Sequence, residues 1–134
     1  MAVDAGDVRQ WFDQYLAAFA ACGRGERETP SLLAYYGVPL LLTTDDGFFA
    51  LTSEEQVVAA VGPQIDGMRA AGFGSNEVIV SDVTVLNATS ALNRATIARR
   101  RPDGDEISRL TATYLITDGP GGRRITLLAV HSPT

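Results

Sequence analysis

Apolar positions follow a helical period in the first part of the chain and a period of two in the last part, with one short hairpin between. Val8, Trp11, Phe12, Tyr15, Leu16 and Phe19 recur at i, i+3, i+4 and i+7, while Arg9, Asp13 and Gln14 take the opposite side. This spacing predicts a first helix from about Val8 to Ala21, capped by Asp4 or Asp7 and ended by Gly23-Arg24-Gly25. Pro30-Ser31 opens a short second helix through Leu32, Leu33, Tyr35 and Tyr36. Trp11 and Phe12 are adjacent, so at least one of them should pack against the rest of the fold.

Val38–Thr44 reads as a buried strand, and Phe48–Leu51 as its partner. Asp45-Asp46-Gly47 between them is a hairpin signal, with the Asp-Gly pair supplying the positive-φ positions of a tight turn. A capping box, either Thr52 with Glu55 or Ser53 with Gln56, starts a third helix that buries Val57, Val61, Ile65 and Met68. Pro63 predicts a kink or break near Gly62, and Gly72 a left-handed cap. Beyond Asn76 only strands are expected. Val78 and Val80 differ in parity from Val83 and Val85, which predicts a β-bulge around Ser81-Asp82. Strands Leu92–Arg101, Ile107–Thr117 and Arg124–Ser132 follow, the middle one with Leu110, Ala112, Tyr114 and Ile116 as its apolar face. Helices first and strands afterwards point to one α+β domain over residues 1–134, helices covering a sheet with room for a pocket between.

Composition removes more functions than it adds. A net charge of −5 argues against a nucleic-acid partner. No apolar run is long enough to span a bilayer, and the acidic start is unlike a signal peptide, so a cytoplasmic location is expected. All 11 basic residues are Arg, which excludes lysine Schiff-base chemistry and the Walker lysine. Cys22 and His131 are the only residues of their kinds, so no Cys/His metal site and no cofactor is expected. Cys22, at the end of the first helix, reads as a small buried hydrophobe.

The order helix, helix, hairpin, helix, four strands resembles the nuclear transport factor 2-like superfamily, also called SnoaL-like or ketosteroid-isomerase-like. The stretches YYGVPLLLTTDDGFFALTSEEQ and GGRRITLLAVHSP are most similar to an actinobacterial subgroup without assigned function. The resemblance implies a cone-shaped α+β barrel, three N-terminal helices packed on a curved, mostly antiparallel sheet of about six strands. It also implies a pocket between the first helix and the sheet, and a homodimer. The mixed face carrying Arg109, Thr111 and Thr113, opposite Leu110 and Tyr114, is where relatives pair sheet to sheet.

Within that family Tyr15, in QYLAAFAACG, matches the tyrosine that donates to a developing oxyanion. As a residue of an amphipathic helix, it reads more readily as a core aromatic with its hydroxyl tied to a neighbour. The isomerase carboxylates are absent: Thr43 and Thr44 stand where the general base falls, and Thr113 or Tyr114 where the second aspartate falls. Asp45 and Asp46 fit turn chemistry better than catalysis. Related epoxide hydrolases use an Asp-Arg-Asp arrangement, for which Arg94 with Asp82 on the neighbouring strand is the candidate, against an outward surface pair. Dehydratases of the superfamily use a histidine with tyrosines, which brings in His131, otherwise read as a surface or interface residue. Arg99-Arg100-Arg101 reads as solvated hairpin charge beside Asp103, Asp105 and Glu106. The candidate pocket thus draws on Tyr15 and Phe19 from the first helix and on Tyr36, Leu42, Thr44 and Phe49 around the hairpin. The later strands add Arg94, Tyr114 and His131. No residue is assigned as catalytic. The expected function is binding of a small, largely apolar molecule or dimeric interaction, with an isomerase, cyclase or dehydratase using Tyr15 as the alternative.

Overall fold

A computed structural model describes residues 2–133. Asp4 caps the first helix, α1 (Ala5–Gly23), its carboxylate accepting from the Asp7 amide at 3.1 Å. The helix ends two residues later than its apolar pattern, closed by Gly25 at φ +78°, where the Glu26 amide donates back to the Ala21 carbonyl. The expected second helix is a 3₁₀ segment, Thr29–Ala34, so the described residues hold two α-helices and not three. Its six residues are too few for a stable α-helix on their own.

β1 (Tyr36–Thr44) and β2 (Gly47–Leu51) form the hairpin, with Thr44 opposite Gly47. Only Gly47 takes a positive φ there; Asp46 does not, and its amide donates to Thr44 Oγ1 instead. Ser53 then caps α2 (Glu54–Ala70) by accepting from the Gln56 amide, while the Gln56 side chain accepts from the Thr52 amide. α2 runs unbroken through Pro63 and buries Val57, Val61, Ile65 and Met68 as the pattern predicts. Its end closes on Gly72 at φ +76°, with the Phe73 amide bonded to the Met68 carbonyl.

The remaining chain is four long strands: β3 (Ser75–Asn87), β4 (Ser90–Arg100), β5 (Glu106–Gly119) and β6 (Gly122–Val130). The six strands form one sheet in the order β2-β1-β6-β5-β4-β3, antiparallel throughout except for the parallel β1–β6 pair. Register shifts occur in every ladder but β1–β2, and three of them bear on which side chains face the helices. The register slips between Val78 and Val80 and again between Val85 and Asn87, so the bulge expected at Ser81-Asp82 lies earlier, at Ile79. The β5–β6 ladder slips where Leu115 pairs Leu127 but Ile116 pairs Ile125, leaving Thr126 extra. Inward residues of both helices and the sheet form one core in which Val8, Phe12, Cys22, Leu32, Leu40, Ile65, Ile116 and Ile125 are almost fully buried. Among the described residues no helix is long and apolar enough to cross a membrane.

Candidate functional site

Between α1, α2 and the inner face of the sheet lies a cavity of about 210 Å³. Its walls are mostly aliphatic and aromatic: Leu16 and Phe19 from α1, Leu40 and Leu42 from β1, Leu110 and Tyr114 from β5, Leu128 and Val130 from β6. Tyr15 reaches it from the sheet-facing side of α1, and Tyr36 from the first position of β1. Their hydroxyls are 2.6 Å apart, so one donates to the other and the second hydrogen is left for another acceptor. The ring of Tyr114 is 6.0 Å from that of Tyr15. Burial raises the ionisation of Tyr15, Tyr36 and Tyr114 above the usual phenol range, so all three are neutral donors at physiological pH.

The polar side of the cavity is made by Arg99, Gln64 and Asn76. Arg99 is the last inward-facing residue of β4, and its Nη2 donates to Gln64 Oε1 of α2 at 2.6 Å. The guanidinium lies over the Phe19 ring, 5.8 Å from its centroid. Burial draws the Arg99 ionisation below arginine's ordinary value, with Tyr114, Tyr15 and Tyr36 acting in the other direction. An arginine starts so high that it keeps its charge. Asn76 pairs in register with Arg99 across β3 and β4, and its Oδ1 is buried without a hydrogen-bond partner. Gln64 and Arg99 also line a cleft between α2 and β5 that includes Pro63, Gly67 and Ile107. They therefore stand where the cavity approaches the surface.

Six of the nine residues expected to form a pocket line this cavity: Tyr15, Phe19, Tyr36, Leu42, Thr44 and Tyr114. The other three stand elsewhere. Phe49 is opposite Leu42 and shares its face, but it lies on the edge strand, is 43% exposed and does not line the cavity. Arg94 faces outward, because β4 turns Ala91, Asn93, Ala95 and Ile97 to the core and its even-numbered residues away. Asp82 is its register partner on that outer face, and the two form no ion pair. His131 faces outward as well, with Nε2 2.7 Å from Thr113 Oγ1. The extra residue Thr126 in the β5–β6 ladder puts His131 out of phase with inward Ile125 and brings Leu128 and Val130 inward.

Arg94, His131 and Asp45 instead share a surface groove with Arg109 and Thr111. At the two isomerase positions, Thr44 and Tyr114 face the cavity, and no carboxylate lines it. Cys22 is buried against the Glu28 carbonyl and Ser31 Oγ.

Arg99, Gln64 and Asn76 were not among the expected site residues. Arg99 is concealed in a run of three arginines, of which only the other two behave as surface charge. Arg100 pairs with Glu77, and Arg101 donates to the Ala71 carbonyl. The signal that finds Arg99 is strand parity with Ile97. Gln64 lies three residues beyond Val61 on the apolar side of α2.

This architecture recurs in solved structures. A protein of unknown function with a cystatin-like fold from Nostoc punctiforme PCC 73102 superposes with a TM-score of 0.73 at 14% identity, covering 97% of this chain and 93% of that one. An NTF-2 like protein of unknown function from Shewanella oneidensis MR-1 gives 0.64 at 16%, covering 90% and 96%. A putative calcium/calmodulin dependent protein kinase II association domain from Xanthomonas campestris gives 0.65 at 20%, covering 98% and 91%. No curated protein matches the sequence. Residues 5–133 match the family described as NTF2-like protein (DUF6841), and with two helices closing a cavity on a six-stranded sheet, the chain belongs to that family.

Proposed function

We propose that the domain binds a small, largely apolar molecule in the cavity between α1 and the sheet, without transforming it. The observation that carries this reading is the lining: apolar walls with a few convergent hydrogen-bonding groups and no carboxylate or histidine. Binding comes from apolar surface removed from water, at about 25 cal/mol per Å². The Tyr15–Tyr36 pair adds one oriented donor, worth about 0.5–1.5 kcal/mol. Titrating the protein with cyclooctanone and with cyclooctane tests this. Tyr15→Phe weakens the ketone by no more than about tenfold and leaves the hydrocarbon unchanged. Failure of both to bind the wild-type protein sinks the reading.

The Tyr15–Tyr36 pair also favours a second reading, an isomerase, cyclase or dehydratase that uses the pair to stabilise an oxyanion. Proton abstraction needs a base within reach, and Asp45, Asp82 and His131 do not line the cavity. Turnover of a 5-ene-3-ketosteroid that disappears in Tyr15→Phe would establish the enzyme over the binder.

The outer face of the sheet supports a homodimer. Two side-chain hydrogen bonds lie there, Thr96 with Thr111 and Thr113 with His131, and Arg94 and Arg109 flank them. One protein of the same fold is named as an association domain.

A further inference from the structure

We infer that the ligand is an amphipathic monoanion, an apolar carboxylic acid whose carboxylate is held by Arg99 and Asn76 while its hydrocarbon body lies against Leu40, Leu42, Leu110 and Leu128; this rests on reading the cavity as a binding site. The first observation is the partner set of Arg99. Four of the other arginines meet carboxylates at the surface, in Arg24–Glu26, Arg100–Glu77, Arg109–Glu106 and Arg123–Asp118. Arg99 is half-buried, turned into a cavity, and makes no ion pair among the described residues. Its side-chain partners are the neutral Gln64 amide and the face of Phe19. Burying a cation without a counter-ion is costly, and an anion arriving in the cavity removes that cost.

The second observation is independent of charge. Asn76 is the cross-strand partner of Arg99, so the two side chains stand next to each other on the inner face. The Asn76 Oδ1 is buried and unpartnered in the same cavity. Turned by half a rotation, the carboxamide presents its NH₂ at that place and donates to an oxygen held by the guanidinium. The free phenolic hydrogen of the Tyr15–Tyr36 pair is a further donor on the cavity wall.

Geometry and charge then select the ligand class. The guanidinium fork matches a planar carboxylate. The lining holds one cation and no anion, which excludes an amine. A dianion would leave its second charge uncompensated among leucines.

Calorimetric titration at neutral pH with octanoate, octan-1-ol and octylamine tests the inference. Octanoate binds about ten- to hundredfold more tightly than octanol, the size of a hydrogen bond to a charged group. Octylamine binds more weakly than octanol. In Arg99→Gln the preference for octanoate over octanol disappears, and Arg99→Lys retains part of it. The wild-type ranking alone decides the question should Arg99→Gln not fold. Equal affinity for acid and alcohol in the wild type overturns the inference and leaves apolar binding intact, as does an acid preference that survives in Arg99→Gln. Binding by none of the three overturns the cavity reading itself.

Discussion

The neighbours Trp11 and Phe12 show how much one helical step decides. Phe12 is 1% exposed and its ring meets Tyr114 edge-on at 4.8 Å, whereas Trp11 is half-buried against Tyr35. Phe12→Ala should cost about 3–5 kcal/mol of stability, because a cavity opens beneath α1, and Trp11→Ala clearly less. Chemical denaturation of the two variants measures this, and equal losses would place α1 wrongly on the sheet. The buried tyrosines give a pH dependence whose sign follows from burial. Burial makes Tyr15, Tyr36 and Tyr114 ionise above the ordinary phenol value of about 10 in the folded protein. The stability they confer is complete below pH 10 and is lost as pH rises toward their folded values. Phenolate absorbance from these residues should therefore appear together with alkaline unfolding. Ionisation of all tyrosines ahead of any loss of helix signal would contradict the burial.

At the scale of elements, much of the layout was legible. The helical period placed α1 and the buried side of α2, and a capping box in one of two registers placed the start of α2, the structure taking Ser53 with Gln56. What escaped was parity in the strands. One extra residue at Ile79 and another at Thr126 exchange faces downstream, and apolar spacing alone does not say on which residue a slip falls. The slip at Thr126 is what turns His131 outward, whereas Arg99 keeps the inward parity of Ile97 and is hidden only by the charge of its arginine run.

Glycines on the helices offer a contrast of the same local kind. A Cβ on Gly67 of α2 meets nothing within 4 Å, so Gly67→Ala should stabilise by about 1 kcal/mol through helix propensity. On Gly23 of α1 it would lie 2.6 Å from Met68 Cε and 2.9 Å from the Phe73 ring, so Gly23→Ala should destabilise by about 1–3 kcal/mol. Thermal melting of the pair checks both, and a rise in both midpoints would mean that α1 and α2 are not in contact at Gly23.

For the whole molecule, the outer sheet face is the surface left without a helical cover. It carries Thr96, Thr111, Thr113 and His131 in a hydrogen-bonded patch, beside exposed Arg94 and Arg109. Polar groups satisfied within the patch lose little on being covered, which suits pairing of two copies face to face. Light scattering at micromolar concentration should give twice the chain mass of 14.3 kDa, and the single-chain mass would exclude the homodimer.

The place of β6 in the sheet has a consequence for how the chain can be made. β6 comes last in sequence but lies third in the sheet, joining the β1–β2 hairpin to β5 and all that follows. A growing chain therefore carries a hairpin with no neighbour and a three-stranded remnant, β5-β4-β3, with a raw edge until residue 130 is free of the ribosome. Both pieces expose ladder groups of the kind that recruit other chains. The interval between synthesis of Leu51, which completes the hairpin, and of Val130, which completes β6, is thus when these edges stand unpaired.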